Sequence, residues 1–271
     1  MKKPYIAVLV VVVLAAAAFF YFQRPAHSPE LGVEGEQNSD MFALSPDDLP
    51  VVSEDVAYFG NVKGFLARPE MEGTYPGVVM MHEWWGLNDN IKTMAKELAK
   101  EGYAVLAVDL FEGTVAATAD EARKLTGGIK PERAVQNMKA AAAYLRNIQK
   151  ASKIASMGWC FGGGQSLQFS LSGETLDATV IYYGSLVTDA AKLSPLKWPV
   201  LGVFGSEDKS IPVSSVQEFK SALDSRSIVN QIEIYNGVGH GFANPSGANY
   251  AARETNDAWE KTVAFLGKYL K

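Results

Sequence analysis

The sequence predicts an α/β fold in which a mostly parallel sheet of about eight strands carries helices on both faces. From residue 51 onward, short apolar runs alternate with amphipathic stretches, an alternation typical of parallel strands that are joined by helices. The chain has 271 residues, of which 48% are hydrophobic, so it is long enough to bury one large core. We therefore expect one globular domain over residues 51–271.

Each predicted element follows from the local pattern. Short apolar runs that are bounded by turn residues predict strands at residues 51–59, 64–68, 76–82, 104–110, 154–159, 178–183, 199–204 and 231–235. Apolar residues at three-to-four spacing predict helices at residues 90–101, 131–149, 163–172, 213–225 and 254–270. Residues 111–130 interrupt the alternation, and we expect them to form a lid or cap over a site.

The N-terminus predicts a membrane segment in front of this domain. Lys2 and Lys3 precede an uncharged apolar run at residues 5–22, and Arg24 follows it. A spanning helix needs about 17 to 25 residues, whereas the apolar part of a cleaved signal peptide has about 7 to 15, so we expect an uncleaved signal anchor at residues 1–22. The two lysines favour a cytoplasmic N-terminus and a domain outside the cytoplasm, periplasmic or extracellular. Secretion after cleavage is the alternative, because alanines within the run offer a cleavage site.

Composition indicates the nature of the segment between the membrane anchor and the domain, and it limits the kinds of partner that the protein can bind. Residues 23–50 are rich in Pro, Gly, Ser and acidic residues, which predicts a flexible linker. The net charge of −5 gives none of the basic footprint that nucleic-acid binding needs. Histidines and carboxylates do not cluster at metal-ligand spacing, and no Gly-rich dinucleotide motif follows the first strands. We expect a monomer that acts on a small molecule without metal or organic cofactor.

The only cysteine of the chain, Cys160, lies in a nucleophile motif. Residues 158–162 read Gly-Trp-Cys-Phe-Gly, after a predicted strand and before a predicted helix, which is the context of the G-x-nucleophile-x-G elbow. The glycines allow the sharp turn that exposes the nucleophile, and the positive end of the helix dipole favours the thiolate. A buried structural cysteine is the alternative interpretation.

Two side chains further along the chain complete a triad in the order nucleophile, acid, base, which is the order of an α/β-hydrolase fold. Asp208 directly follows the predicted strand 199–204, although neighbouring Glu207 competes for the role. His240 lies between glycines in a loop after the last predicted strand. Of the three histidines it is the best candidate base, because His27 lies in the linker and His82 ends another strand.

These motifs resemble the dienelactone hydrolase family, also named carboxymethylenebutenolidase. The resemblance runs from about residue 53 to residue 270 and is specific, because most α/β-hydrolases have serine at the elbow. It rests on the segments 64–69 (GFLARP), 82–88 (HEWWGLN), 158–163 (GWCFGG), 205–212 (GSEDKSIP) and 239–242 (GHGF). The resemblance implies a catalytic role for Glu83, which would help to deprotonate the cysteine when substrate binds. It also implies an oxyanion hole formed by the backbone N–H groups of Phe161 and Trp84.

The sequence departs from the family pattern at two positions. Gly113 and Asn244 stand where the dienelactone hydrolases have the two arginines that hold the carboxylate of their substrate. Neither residue can pair with an anion as arginine does. Together with aromatic residues near the predicted strand ends, this indicates an uncharged substrate in a pocket formed by Trp85, Trp159, Tyr183 and Asn244.

The expected reaction is hydrolysis of a carboxylic ester or lactone. His240, oriented by Asp208, keeps Cys160 ionised or takes its proton, and the sulfur attacks the carbonyl carbon to form a thioester acyl-enzyme. A thioesterase or peptidase with the same triad is an alternative. A membrane-tethered binding protein on a hydrolase scaffold is another, since a fold alone does not establish catalysis.

Overall fold

The computed structural model describes residues 48–271, and the predicted signal anchor and most of the predicted linker lie outside these residues. Six helices and one sheet of eight strands form within the described range. The strands are β1 Val51–Phe59, β2 Val62–Pro69, β3 Gly77–Met81, β4 Ala104–Val108, β5 Ile154–Trp159, β6 Ala178–Tyr182, β7 Val200–Gly205 and β8 Asn230–Tyr235. The helices are α1 Asp89–Lys100, α2 Ala119–Gly128, α3 Pro131–Asn147, α4 Phe161–Ser170, α5 Val213–Ser225 and α6 Ala252–Leu270.

The sheet is parallel except at one edge. Its strand order is β1-β2-β4-β3-β5-β6-β7-β8. β1 pairs antiparallel with β2, and β2 pairs antiparallel with β4, whereas all other pairs are parallel. The predicted, mostly parallel eight-stranded sheet is therefore confirmed.

Alternating residues of each strand pack on opposite faces, and this places helices on both sides of the sheet. Val78 and Met80 of β3 belong to a core cluster with residues of α1 and α6. Val79 and Met81 belong to the cluster on the other face, which includes residues of α3. A third cluster joins α5 to β6 and β7. Because side chains of a strand point to the two faces in turn, the central strands read as continuous apolar runs.

The structure differs from the sequence-based expectation mainly in residues 111–130. The five predicted helices form within about two residues of their predicted bounds, but a sixth helix, α2, lies inside the interrupted region. Only Ala122 of α2 is buried, so the helix lacks the apolar stripe that helix prediction uses. No helix between residues 48 and 271 is long and apolar enough to cross a membrane.

Candidate active site

The carboxyl ends of three parallel strands bring the three predicted triad residues together. Cys160 follows β5, Asp208 lies after β7, and His240 lies after β8. His240 Nε2 is 3.1 Å from Cys160 Sγ, and His240 Nδ1 is 2.8 Å from Asp208 Oδ2. The imidazole thus bridges a thiol and a carboxylate, which is the arrangement that activates a nucleophile through a general base.

Cys160 occupies a strained turn between β5 and α4. Its φ of 54° lies in the left-handed region that non-glycine residues rarely adopt. The turn is held by hydrogen bonds from Cys160 N to Tyr182 O, 3.0 Å, and from Gly164 N to Cys160 O, 3.1 Å. Cys160 is also the N-cap residue of α4, so this partly exposed residue lies at the positive end of the helix dipole.

Backbone donors orient the carboxylate of Asp208. Oδ1 accepts hydrogen bonds from Ser210 N at 2.7 Å and Ile211 N at 3.0 Å, which leaves Oδ2 for the histidine. Asp208 is 4% exposed, whereas neighbouring Glu207 is exposed. The structure therefore brings Asp208, and not Glu207, to His240.

The surroundings of His240 favour its protonated form. Burial lowers the pKa of His240, but the hydrogen bonds to Asp208 and Cys160 and the negative charges of these groups outweigh burial and raise the pKa to about 10. Both ring nitrogens of an imidazolium are donors. At neutral pH the imidazolium therefore donates to Asp208 Oδ2 and faces the sulfur as a cation, which stabilises a thiolate.

Glu83, which lies two residues after the end of β3, is a buried carboxyl with neutral partners. Asn244 Nδ2 donates a hydrogen bond to its Oε2, and the hydroxyl of Tyr183 lies 3.5 Å from its Oε1. Burial raises the pKa of Glu83 to about 7, and the charge of His240 and the two hydrogen bonds oppose this rise. Near neutral pH this carboxyl is thus poised between its protonated and ionised forms.

The two residues of the predicted oxyanion hole lie at the same edge of the sheet. Phe161 is the first residue of α4, and Trp84 lies in the loop after β3. The loop and the helix approach closely, since a Cβ atom on Gly162 would lie 2.5 Å from His82 O. Phe161 and Trp84 stay predictions for the oxyanion hole.

The predicted pocket residues separate into two groups. Two of them contact site residues: the ring centroid of Tyr183 lies 5.2 Å from that of His240, and Asn244 donates a hydrogen bond to Glu83. Trp85 is half-buried, with its ring 4.9 Å from that of Trp84. Trp159 differs, because it is 2% exposed and packs in the core with its ring 5.4 Å from Tyr182. We therefore reassign Trp159 from the pocket to the core.

The segment predicted as a lid contacts the loop after β3. Ala116 N donates to Trp85 O at 2.8 Å, and a Cβ atom on Gly86 would lie 2.6 Å from Thr114 O. Beyond this contact, α2 and α3 border a cavity of about 350 Å³ that includes none of the predicted site residues in its lining. In residues 48–271, no three His, Cys, Asp or Glu side chains come together in a group that could hold a metal ion.

Comparison with known proteins assigns the domain to a family. The model of the dienelactone hydrolase family matches residues 62–270. The chain belongs to the dienelactone hydrolase family. This membership, together with the named relatives below, makes the protein a dienelactone hydrolase-like hydrolase.

Several relatives of this dienelactone hydrolase family member are similar over most of their length. "Protein usf" of Aquifex pyrophilus is 30% identical over 220 residues, which cover 78% of this chain and 94% of that protein. "Putative carboxymethylenebutenolidase" of Saccharolobus solfataricus is 30% identical over 257 residues, with 78% and 95% covered. A protein of the same name from Escherichia coli is 28% identical, with 90% and 94% covered.

Solved structures of similar proteins share the fold. A "Putative Dienelactone Hydrolase" from Klebsiella pneumoniae matches with a TM-score of 0.75 at 24% identity, covering 81% of this chain and 100% of that chain. A dienelactone hydrolase-like promiscuous phosphotriesterase from metagenomic libraries matches with a TM-score of 0.74 at 24% identity, covering 82% and 99%. At this level of identity the matches establish the α/β-hydrolase fold alone.

The dienelactone hydrolase site of this chain also contains contacts that the sequence did not reveal. The hydrogen bond between Asn244 and Glu83 joins residues 161 positions apart. Gly113, the other departure from the family pattern, has a φ of 101°, and its N–H donates to Asp109 Oδ2 at 2.5 Å. No periodicity or motif indicates these partners, because the first contact depends on how two loops from different strands fold against each other and the second on the local turn after β4.

Proposed function

We propose that the protein hydrolyses uncharged carboxylic esters or lactones through Cys160, His240 and Asp208. The observation that carries this proposal is the position of His240, whose two ring nitrogens lie within hydrogen-bonding distance of the sulfur and of the carboxylate. Such a chain of contacts allows one group to hold a nucleophile in its reactive form and to move protons during the reaction.

The first half of the reaction transfers the acyl group to the enzyme. The Cys160 thiolate attacks the carbonyl carbon, and the electron pair of the carbonyl π bond moves to oxygen, where the N–H groups of Phe161 and Trp84 would stabilise the negative charge. When the carbonyl re-forms, the bond to the alcohol oxygen breaks and the His240 imidazolium gives its proton to that oxygen. The products are a thioester on Cys160 and an alcohol, which in a lactone stays attached to the acyl chain.

The second half releases the acid. His240, now neutral and held by Asp208, takes a proton from water while the water oxygen attacks the thioester carbonyl. Collapse of this second intermediate breaks the carbon–sulfur bond, and Cys160 leaves as a thiolate beside the new imidazolium. The carboxylic acid product ionises in water.

The charges around the site support an uncharged substrate. The two positions that would supply arginines for an anionic substrate hold Gly113 and Asn244, and the side chain of Asn244 is already bonded to Glu83. Glu83 is also negative in its ionised form and would repel an anionic group. If Cys160 still carries its proton when substrate enters the site, we propose that Glu83 accepts this proton. The family resemblance implies the same role for Glu83.

A substrate panel tests this proposal. The 271-residue chain is assayed on short and long aryl esters, lactones, thioesters and peptides, with Cys160→Ala as the control. We expect turnover of esters or lactones, and a mass increase equal to the acyl group on Cys160 when an ester is mixed with enzyme and quenched rapidly. Equal slow hydrolysis by the wild type and Cys160→Ala would rule out the nucleophile, and preferential turnover of thioesters or peptides would redirect the substrate assignment.

We also propose that residues 1–22 anchor the chain in a membrane, that residues 23–50 act as a tether, and that the domain acts as a monomer outside the cytoplasm. The lysines before the apolar run and its length support the anchor and its orientation. An intact N-terminus in membrane-fraction protein, read by mass spectrometry, is the expected result. A mature chain that starts within or after the apolar run would instead indicate secretion after cleavage.

A further inference from the structure

His82 is a fully buried histidine directly after β3, and both of its ring nitrogens have backbone partners. Nδ1 lies 2.6 Å from Glu83 O, and Nε2 lies 3.1 Å from Leu110 N. The triad does not include this side chain. The reaction described above therefore does not explain why a polar ring is buried here with hydrogen bonds to two different loops.

The backbone partners fix the tautomer of His82. Leu110 N is a donor, so Nε2 must be the unprotonated acceptor, and Nδ1 must carry the proton that is donated to Glu83 O. Burial lowers the pKa of His82, which keeps the ring in this neutral form. The ring thus acts as a rigid link from the loop after β4 to the loop after β3.

The bond to Glu83 O controls the direction of a neighbouring N–H group. The carbonyl of Glu83 and the N–H of Trp84 belong to one peptide unit, which is planar and trans, as are all peptide bonds of the described chain. In such a unit the C=O and N–H bonds point in opposite directions. When His82 holds the carbonyl of Glu83 toward its buried ring, the N–H of Trp84 must point away from that ring. Gly86 N donates a second hydrogen bond to the same carbonyl at 3.3 Å.

The same ring also contacts the second proposed oxyanion donor. The ring of His82 lies 5.9 Å from that of Phe161 in a stacked arrangement, and 4.7 Å from that of Phe111 in an edge arrangement. Phe111 and Phe161 in turn pack 5.5 Å apart. His82 is therefore in contact with both residues whose N–H groups would bind the oxyanion, one through a hydrogen bond to its peptide unit and one through ring packing.

We propose that His82 is a positioning residue that sets the oxyanion hole by holding the Glu83–Trp84 peptide unit with its Nδ1–H group. This inference rests on the proposed function, because it needs a reaction with a negatively charged intermediate. His82 contributes no proton to the reaction and does not touch the substrate. Its hydrogen bond also polarises the peptide unit, which makes the Trp84 N–H a better donor.

Two substitutions separate the hydrogen bond from the packing. His82→Asn removes the ring but places an amide N–H near the position of Nδ1, whereas His82→Phe keeps a ring between Phe111 and Phe161 but has no donor. Since loss of an oxyanion donor lowers kcat by about 100- to 1,000-fold, we expect about 10- to 100-fold lower kcat in His82→Phe and a much smaller loss in His82→Asn. KM changes little in either variant, because the oxyanion forms only after binding.

Alkylation of Cys160 by iodoacetamide provides a readout that a general structural defect would move and that a defect in the oxyanion hole would not. The thiolate displaces iodide in this reaction, and no carbonyl oxyanion forms. We expect both variants to be alkylated within about twofold of the wild-type rate, as the thiolate chemistry of Cys160 is unchanged. Phe219→Leu, in the buried core of α5, serves as the stability control, because it lowers Tm without contact to the site.

The outcomes decide whether His82 positions the oxyanion hole. A lower kcat in His82→Phe with unchanged alkylation, and recovery in His82→Asn, supports the proposal. Wild-type kcat in His82→Phe, lower activity in His82→Asn than in His82→Phe, or a parallel loss of kcat and alkylation each overturn it. If Cys160→Ala is as active as the wild type, the proposed function fails instead, and this result is read from a different variant.

Discussion

At the scale of single residues, Asp208 uses its two carboxylate oxygens for different neighbours. One oxygen accepts two backbone N–H groups and the other faces His240. The first set of bonds fixes the carboxylate in the folded protein, and the second orients the imidazole and stabilises its positive charge. The raised pKa of His240, about 10, depends in part on this carboxylate.

We predict that Asp208→Asn lowers kcat by about 1,000- to 10,000-fold, with a much smaller effect on KM. Asparagine keeps the size of the side chain, but it removes the charge that stabilises the imidazolium and it can present an N–H group to Nδ1. Steady-state kinetics on an aryl ester measures both constants. Glu207→Gln is the matched control, since it removes an exposed carboxylate one position away; comparable losses in the two variants would contradict the assignment of Asp208.

Glu83 is expected to make the stability of the protein depend on pH. Its folded pKa of about 7 lies above the ordinary glutamate pKa of 4.5, so the folded protein binds this proton more tightly than the unfolded chain does. The stabilisation is complete below pH 4.5 and is lost as the pH rises through 7. The difference between the two pKa values corresponds to about 3 kcal/mol.

We therefore predict that Glu83→Gln gains stability relative to the wild type, by up to about 3 kcal/mol, between pH 5 and pH 8. Glutamine keeps an oxygen for the amide of Asn244 but has no charge to lose. Urea unfolding of both proteins at the two pH values measures the change. A stability difference that stays constant with pH would show that Glu83 titrates normally.

The sequence could predict that Cys160, Asp208 and His240 lie together, but not the environment of Glu83. Cys160, Asp208 and His240 each follow a predicted strand, and parallel strands end at the same edge of a sheet, so their proximity follows from the fold. The contacts of Glu83 with Asn244 and Tyr183 depend on side-chain directions within loops. No pattern in the sequence distinguishes Trp159, which packs in the core, from Tyr183, which packs on His240.

At the scale of secondary structure elements, the first turn of α4 packs unusually close to its neighbours. A Cβ atom on Gly162 would lie 2.3 Å from Met81 O, and one on Gly163 would lie 2.5 Å from Tyr182 O. These approaches bring the start of the helix against the ends of β3 and β6. Only glycine fits such contacts with backbone atoms, which cannot move aside as flexible side chains do.

We predict that Gly162→Ala lowers the free energy of unfolding by about 3 kcal/mol or more and reduces kcat, because the new methyl group must push α4 away from the loop after β3. Gly127→Ala in α2 is the control. A Cβ atom there has nothing within 4 Å, so we expect a gain of about 0.5 kcal/mol from helix propensity. Urea unfolding and ester kinetics measure both effects, and equal stability of the two variants would refute the packing explanation.

The strands were easier to predict than α2 for a physical reason. β3 to β7 are buried on both faces and therefore appear as uninterrupted apolar runs. α2 buries one residue and ends in two glycines, so its apolar pattern is weak. Its start carries a different signal, since Thr118 and Glu121 form a capping box, and the spacing Thr-x-x-Glu is visible in the sequence.

At the scale of the whole molecule, five adjacent parallel strands each lead into one residue of the site. In sheet order they are β3, β5, β6, β7 and β8, which lead respectively to Glu83, Cys160, Tyr183, Asp208 and His240. The antiparallel edge formed by β1 and β2 supplies none of these residues. The sheet thus fixes the relative positions of groups that are far apart in sequence, and the loops set only their final directions.

The single cysteine allows the proposed position of the domain outside the cytoplasm to be tested on the complete chain. Cys160 is partly exposed and lies beside a cationic imidazole, so it is expected to react readily with thiol reagents. We predict that a membrane-impermeant cationic methanethiosulfonate modifies Cys160 in intact spheroplasts of a bacterial expression host. After washing and denaturation, modified protein no longer gains mass from polyethylene glycol maleimide.

The controls for this labelling use the same residue. Cys160→Ala gains no mass under any condition, because the chain has no other thiol. Unmodified protein that is denatured directly gains the full mass shift and shows that the reagent works. Protection in intact spheroplasts places the domain outside the cytoplasm, as the lysines before the apolar run predict. Protection that develops only after the membrane is permeabilised would place Cys160 in the cytoplasm and would reverse the proposed orientation.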